Sequence, residues 1–225
     1  MSTTLGLSSR LAPTVTAYLI VVGAVALLRF AELAVSARNR HAMIRAGAVP
    51  VPERNFGWMA LLHAAILAGA AAEVVWLRRP FLPLLALPSL VCLVLATWTR
   101  WWVIQTLGRL WNVGIMDSTR HGVVDTGPYR WIRHPNYVAV FVELLALPLV
   151  HTAWITAALG AVAHLFVLRA RIRVEDRVLL ANPEYAARMR TKPRFFPTRL
   201  TDPTHPTRLT RPTRPPGPKA PAPSD

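Results

Sequence analysis

Five apolar runs divide the chain. Val15 to Ala34, Phe56 to Trp76 and Leu82 to about Val103 each approach the ~20 residues that a helix needs to cross a hydrocarbon core. Tyr137 to about Val150 and Ala153 to Leu168 are shorter, and His151-Thr152 joins them tightly. That spacing predicts a helical hairpin that tilts or lies partly within the bilayer. Arg29 and Glu32 are accommodated if they lie near the end of the first run. Arg78 and Arg79 stop the second, and Pro80 starts a new element. Pro83 and Pro88 in the third are tolerable where neighbouring helices compensate. Trp98, Trp101 and Trp102 have the placement of an interfacial belt. The pattern predicts an all-α integral membrane bundle with about five transmembrane segments.

The polar intervals give the organisation. Residues 1–104 carry the N-terminal membrane helices. Residues 105–136 are turn-rich, and with the hairpin they form a second region, 105–196, that holds the chemistry. Residues 197–225 repeat PTRLT, carry proline throughout and have almost no large apolar side chains. Such a segment cannot support a core and reads as a disordered basic tail.

Charge adds direction. The formal net charge is +15 and the chain is 53% hydrophobic, with a mean hydropathy of +0.33. The basic residues sit in loops between apolar runs and in the tail, which points to anionic lipid headgroups rather than nucleic acid. Arg38, Arg40, Arg45 and Arg54 follow the first run, and Arg109, Arg120, Arg130 and Arg133 follow the third. With five crossings these loops share one side, opposite Arg10, Arg78 and Arg79. The positive-inside rule makes the rich side cytoplasmic. The expectation is a multi-pass cell-membrane protein with its site facing the cytoplasm. The first run lacks a cleavage pattern and reads as a retained anchor. The single cysteine, Cys92, excludes an internal disulfide and a cysteine zinc site, and reads as a small buried hydrophobe.

Two stretches concentrate polar chemistry: HGVVDTGPYRWIRHPNY, His121 to Tyr137, and RARIRVEDRVLLANPEY, Arg169 to Tyr185. Gly127-Pro128 and His134-Pro135-Asn136 are turn signals. Around these prolines the backbone is held out of helix, and its free polar groups are tolerated at membrane depth only in protein or beside a polar cavity. A polar ligand can satisfy them. Arg130 and Arg133 are also adequate as charge anchors. Glu143 is the one charged residue between Tyr137 and Val150. An acid there is either functional or paired with a base from a neighbouring helix. Arg171 and Glu175 are i,i+4 and share a helical face; spacing alone equally describes a solvated helix that Asn182-Pro183 breaks. No GxGxxG, GxxxxGK[ST] or HExxH occurs, and His121 and His134 have no acid or cysteine spaced to complete a metal set, so no metal is expected.

The order His121-x-Val-Val, Gly127-x-Tyr129, Arg133-His134-Pro135-x-Tyr137, then a hairpin, then Arg171-x-x-x-Glu175-Asp176-x-x-Leu179 and Tyr185 resembles the isoprenylcysteine carboxyl methyltransferase family of integral membrane enzymes. The resemblance covers roughly Gln105 to Phe196. It implies an S-adenosylmethionine cofactor contacted by His121, Gly122, Val123, Val124, Tyr129, His134, Pro135, Asn136, Tyr137 and Glu175. It implies an acceptor-side arginine at Arg171, with Arg171 and Glu175 catalytic and Glu143 a further catalytic candidate. The family's upstream glutamine has Gly114 at its offset, the second glutamate is Asp176, and the Leu179–Tyr185 loop is short. GRLWNVGIMDS and Glu143 resemble a bacterial-type branch. The implied activity is methylation of a lipophilic carboxylate, prenylcysteine-like, or of a phenol. The implied partners are a lipophilic or lipidated substrate and membrane lipids, with neither nucleic acid nor metal. Rival readings are a sterol-reductase-like enzyme using NADPH, a phospholipid N-methyltransferase, and a basic membrane scaffold.

Overall fold

A computed structural model of the chain describes residues 11–53, 56–117 and 122–197. His121, Arg10, Arg54, Arg120 and the tail beyond Pro197 lie outside the described residues. Among the described residues six α-helices carry the fold: α1 (Pro13–Arg45), α2 (Phe56–Trp76), α3 (Pro83–Leu107), α4 (Pro135–Leu149), α5 (Trp154–Leu180) and α6 (Pro183–Met189). Four of them open on a proline, where the missing N–H costs nothing and the fixed φ is already helical. Asn182 caps α6 by accepting from the Tyr185 N–H at 3.0 Å. Two short antiparallel strands, β1 (Val49–Pro50) and β2 (Met116–Asp117), pair Val49 with Asp117 and Pro50 with Met116.

Helices α1, α2, α3 and α5 are long and apolar enough to cross a membrane, the pattern of a multi-pass membrane protein. Their outward faces carry Ile20, Leu27, Phe30, Leu84, Leu87, Leu159 and Phe166 in the open. A surface so uniformly apolar is stable only against lipid or other apolar cover. The fifth apolar run differs from the four. Helix α4 has 15 residues, so it rises ~22 Å, short of the ~30 Å hydrocarbon core. The expectation of about five crossings therefore resolves into four long spans and one short inner helix.

One sequence expectation changes, and two features extend the reading. Helix α1 continues past the first apolar run to Arg45. Arg29 and Glu32 are held mid-helix by partners from elsewhere: Glu32 pairs with Arg29 at 2.7 Å and with Arg100 of α3. Cys92 is exposed on α3 rather than buried, beside the exposed Val91, Val94 and Leu95 on the face that meets lipid. Trp102 also packs within the protein, its ring 5.5 Å from Trp98 and edge-on to Trp131 at 5.8 Å, while Trp98 and Trp101 stay exposed.

One end of the bundle is a staple. Glu73, buried near the end of α2, accepts from the Ile155 N–H at 3.1 Å and the Thr156 N–H at 2.7 Å. It also accepts from Thr156 Oγ1 at 2.7 Å and Arg79 Nε at 2.9 Å. An acid at a helix N-terminus satisfies orphan donors and opposes the helix dipole. Thr152 takes positive φ in the α4–α5 turn and donates to the Pro80 carbonyl at 2.6 Å. Below the staple α2 and α5 approach closely, because a Cβ on Gly160 would lie 2.9 Å from Ile66. The buried Tyr18, Val74, Leu93 and Leu147 form the adjoining core. The loops between α3 and α4, the β1–β2 pair, α6 and the end of α5 gather at the opposite end.

Candidate functional site

The short helix α4 begins inside a polar knot. Gly127 holds positive φ in a turn that presses on α3, where a Cβ would collide with Thr106. The following 3-10 turn, Gly127–Arg130, brings the chain to His134 at the N-cap of α4. The His134 ring is buried and its Nε2 lies 2.9 Å from Asp176 Oδ1. Arg133 donates to the same oxygen at 3.2 Å, and Arg194 donates to Asp176 Oδ2 at 2.8 Å. Backbone bonds close the knot: Arg133 N to the Pro193 carbonyl at 2.9 Å and His134 N to the Arg194 carbonyl at 3.0 Å. Lys192, whose amine burial holds below its ordinary value, donates to the Tyr129 carbonyl at 2.8 Å. The first polar stretch, the end of α5 and residues 192–194 thus form one unit.

A second relay runs beside it. The Tyr137 hydroxyl donates to Glu175, and Arg171 Nε donates to the Tyr137 oxygen at 2.8 Å. Arg171 also reaches Glu53 Oε2 at 3.2 Å, Met59 Sδ at 3.1 Å and the Val113 carbonyl. Glu53 accepts in turn from the Ile115 N–H. Ser36 and Asn112 brace the adjoining loop, with Val113 N donating to Ser36 Oγ at 2.9 Å and Gly114 N to Asn112 Oδ1 at 2.7 Å. Arg171 therefore fastens the loop after α3 to α5 while holding Tyr137 toward Glu175.

Both sets face a mostly apolar cavity of about 490 Å³. One part is bordered by Gly122, Val123, Val124, Tyr129, His134, Asn136, Tyr137, Glu175 and Tyr185. The other runs between α1, α2 and α5, past Phe30, Leu33, Met59, Ala64 and Leu168, with Arg29, Glu32, His63 and His164 also on its wall. Burial, with the Glu175 carboxylate close by, pushes the Tyr129 and Tyr185 phenols above their ordinary value. Both stay neutral at physiological pH. Asn136 Oδ1 is buried with no hydrogen-bond partner, an atom that a ligand's donor would satisfy.

The structure brings together most of the sequence candidates. Gly122, Val123, Val124, Tyr129, His134, Asn136, Tyr137, Arg171 and Glu175 all line the cavity. Pro135 is buried as the first residue of α4 and fixes its entry. Arg171 and Glu175 share the predicted face. Glu143 stands apart: it lies 3.4 Å from Arg29 of α1 and borders a separate cavity of about 30 Å³. The pairing with a neighbouring helix that its position allowed is thus present. Sequence reasoning missed Glu53, whose partner is over a hundred residues away, and the pair His63 and His164, which lies on the cavity wall. A lone histidine inside an apolar run was the available signal.

The sequence, compared with known proteins, matches one family. The model of the isoprenylcysteine carboxyl methyltransferase (ICMT) family matches residues 89–181. A Bacillus subtilis relative, the uncharacterized protein YpbQ, is 31% identical over 152 residues, which are 67% of this chain and 89% of that protein. The chain belongs to the isoprenylcysteine carboxyl methyltransferase family. An uncharacterized protein of Haemophilus influenzae is 29% identical over 68% of this chain and 88% of its own length. The nickel-cobalt-cadmium resistance protein NccN of Alcaligenes xylosoxydans xylosoxydans is 38% identical over 94 residues, 41% of this chain and 44% of that protein. The family match contains the His134–Asp176 knot and the Tyr137–Glu175 relay. Tyr185, Lys192 and Arg194, which close the site, fall beyond it, as do Glu53 and His63.

Proposed function

We propose that this family member is a membrane-embedded, S-adenosylmethionine-dependent O-methyltransferase acting on a lipophilic carboxylate or phenol. The observation that carries the reading is one cavity that joins a polar part at Asn136, Glu175 and Tyr185 to a part between α1, α2 and α5 whose walls are mostly apolar but also hold Arg29, Glu32, His63 and His164. A polar donor and a lipid-soluble acceptor need such a meeting place. The residues present fit the cofactor: an unpartnered buried carbonyl at Asn136, a carboxylate suited to a cation at Glu175, and neutral phenols at Tyr129 and Tyr185. When bound, S-adenosylmethionine supplies an electrophilic methyl group.

The chain's own residues then hold, orient and exclude water. Gly122, Val123, Val124, His134, Pro135, Asn136, Tyr137 and Glu175 form or support the cofactor side, with His121 extending it in sequence. Asp176 fixes the His134 ring. Arg171 is the acceptor-side residue, and its hydrogen bond to Tyr137 orients that hydroxyl toward Glu175. Apolar walls keep water from the reacting atoms, and holding two reactants in register accounts for much of the rate. A carboxylate acceptor needs no base. For a phenol acceptor Glu175, which lines the cavity, is the base candidate, while Glu143 lies beside Arg29 and off that cavity's wall.

The arginine distribution supports an orientation with this end in the cytoplasm of a cell membrane, where the cofactor is made available. The test is thermal unfolding of the detergent-solubilised protein with S-adenosylhomocysteine or NADPH. A cofactor at a hundred times its dissociation constant adds ~2.7 kcal/mol. Stabilisation by S-adenosylhomocysteine alone is expected; stabilisation by NADPH alone would replace the proposal with a reductase.

A further inference from the structure

The part of the cavity between α1, α2 and α5 also holds polar groups. His63 of α2 and His164 of α5 face each other there, His63 Nε2 lying 3.4 Å from His164 Nδ1. The two rings are tilted at 5.3 Å, and His164 also stacks on Phe141 at 6.2 Å. His164 is 2% exposed, and its Nε2 has no hydrogen-bond partner. Two imidazoles joined in this way use one N–H between them. The outer nitrogen of His164 remains an unused donor or acceptor according to the tautomer. A polar atom left unpaired in an apolar setting calls for a partner.

Its position along α5 gives a length. His164 and Arg171 are seven residues apart on that helix, two turns or ~10 Å. His164, Leu168, Arg171 and Glu175 form one stripe along the cavity. Resting on the methyl-transfer reading, we infer that the acceptor is a two-headed lipophile. Its reacting group lies near Tyr137 and Arg171, and a second, neutral hydroxyl or carbonyl group meets the His63–His164 pair about two helical turns away. A hydroxyl suits the pair best, since it donates or accepts to match either tautomer. The neighbouring Arg29 and Arg100 are balanced in charge by Glu32 and Glu143, so a neutral group rather than a second anion fits this end.

The probes are unsubstituted fatty acids and their ω-hydroxy counterparts in a series of chain lengths. Each is titrated into the full chain in detergent by calorimetry, with S-adenosylhomocysteine affinity measured on the same samples. For the wild type, the ω-hydroxy acid is expected to bind about tenfold more tightly than its parent at one intermediate length and equally at short lengths, the worth of one hydrogen bond at a desolvated site. His164→Phe keeps the ring and its stacking on Phe141. It should abolish the preference while leaving parent-acid and S-adenosylhomocysteine affinities unchanged. His63→Phe, the second variant, should reduce the preference in the same way. No length-dependent preference in the wild type, or a preference that survives both variants, overturns the inference. If the preference follows His164 but S-adenosylhomocysteine does not bind, the two-headed site stands and the methyl-transfer reading falls.

Discussion

Glu73 and Glu175 are both acids set in apolar helices beside an arginine, yet they sit at opposite ends of the bundle and differ in what is left over. Glu73 takes two backbone N–H groups, one hydroxyl and one guanidinium from the protein itself. Its valence is used up, and it ties α2 to the start of α5. Glu175 receives the Tyr137 hydroxyl and faces a cavity, with the unpartnered Asn136 oxygen on the same wall. A buried charge satisfied by its own chain is a fastening. A half-buried charge with capacity to spare, beside open space, is where a ligand belongs.

The largest expected effect breaks the fastening. Glu73→Ala leaves Arg79 and the first N–H groups of α5 without their acceptor, and removing one partner of a buried pair costs about 3–5 kcal/mol. Thermal unfolding in detergent should show that loss, while the protein that remains folded binds S-adenosylhomocysteine with unchanged affinity. At the other end the sign of the split reverses. Glu175→Gln should leave the unfolding midpoint nearly unchanged and weaken S-adenosylhomocysteine by roughly one to two orders of magnitude, the equivalent of a charge-assisted contact of ~1.5–3 kcal/mol. Equal stability losses in the two variants would erase the distinction between the two ends.

Arg171→Lys sharpens the division within the site. Lysine keeps the charge beside Glu53 but loses the fork that reaches Tyr137 and the Val113 carbonyl together. Turnover should fall about tenfold, a barrier rise of ~1.4 kcal/mol, with cofactor affinity unchanged. Radiolabelled methyl transfer into a lipophilic acceptor, beside calorimetry, separates the two quantities. The smallest effect belongs to Arg188, which pairs with Glu184 and Asp125 on the exposed rim. Arg188→Ala should shift stability by less than about 1 kcal/mol and leave binding alone.

What the sequence revealed follows the same contrast. The turn signals at Gly127-Pro128 and His134-Pro135, the i,i+4 pair Arg171 and Glu175, and the break at Asn182-Pro183 are local patterns. Each appears where the spacing put it. The continuation of α1 to Arg45 was not legible, because the apolar run stops at Ala34 and the partners of Arg29 and Glu32, Glu143 and Arg100, come from α4 and α3. The bracing of Arg171 was not legible because its partners Glu53, Met59 and Val113 are distant in sequence. Cys92 was misplaced because an apolar run does not say which of its faces meets lipid. The His63–His164 pair needed the crossing of α2 and α5, a close approach set in part by Gly160.

The most direct test of the central claim, that the open end of this bundle holds a methyl donor, is calorimetric titration of the full-length wild-type chain with S-adenosylhomocysteine and, separately, with NADPH. One saturable site for S-adenosylhomocysteine and none for NADPH is the predicted result. An absence of S-adenosylhomocysteine binding to protein whose thermal unfolding shows it to be folded would contradict it.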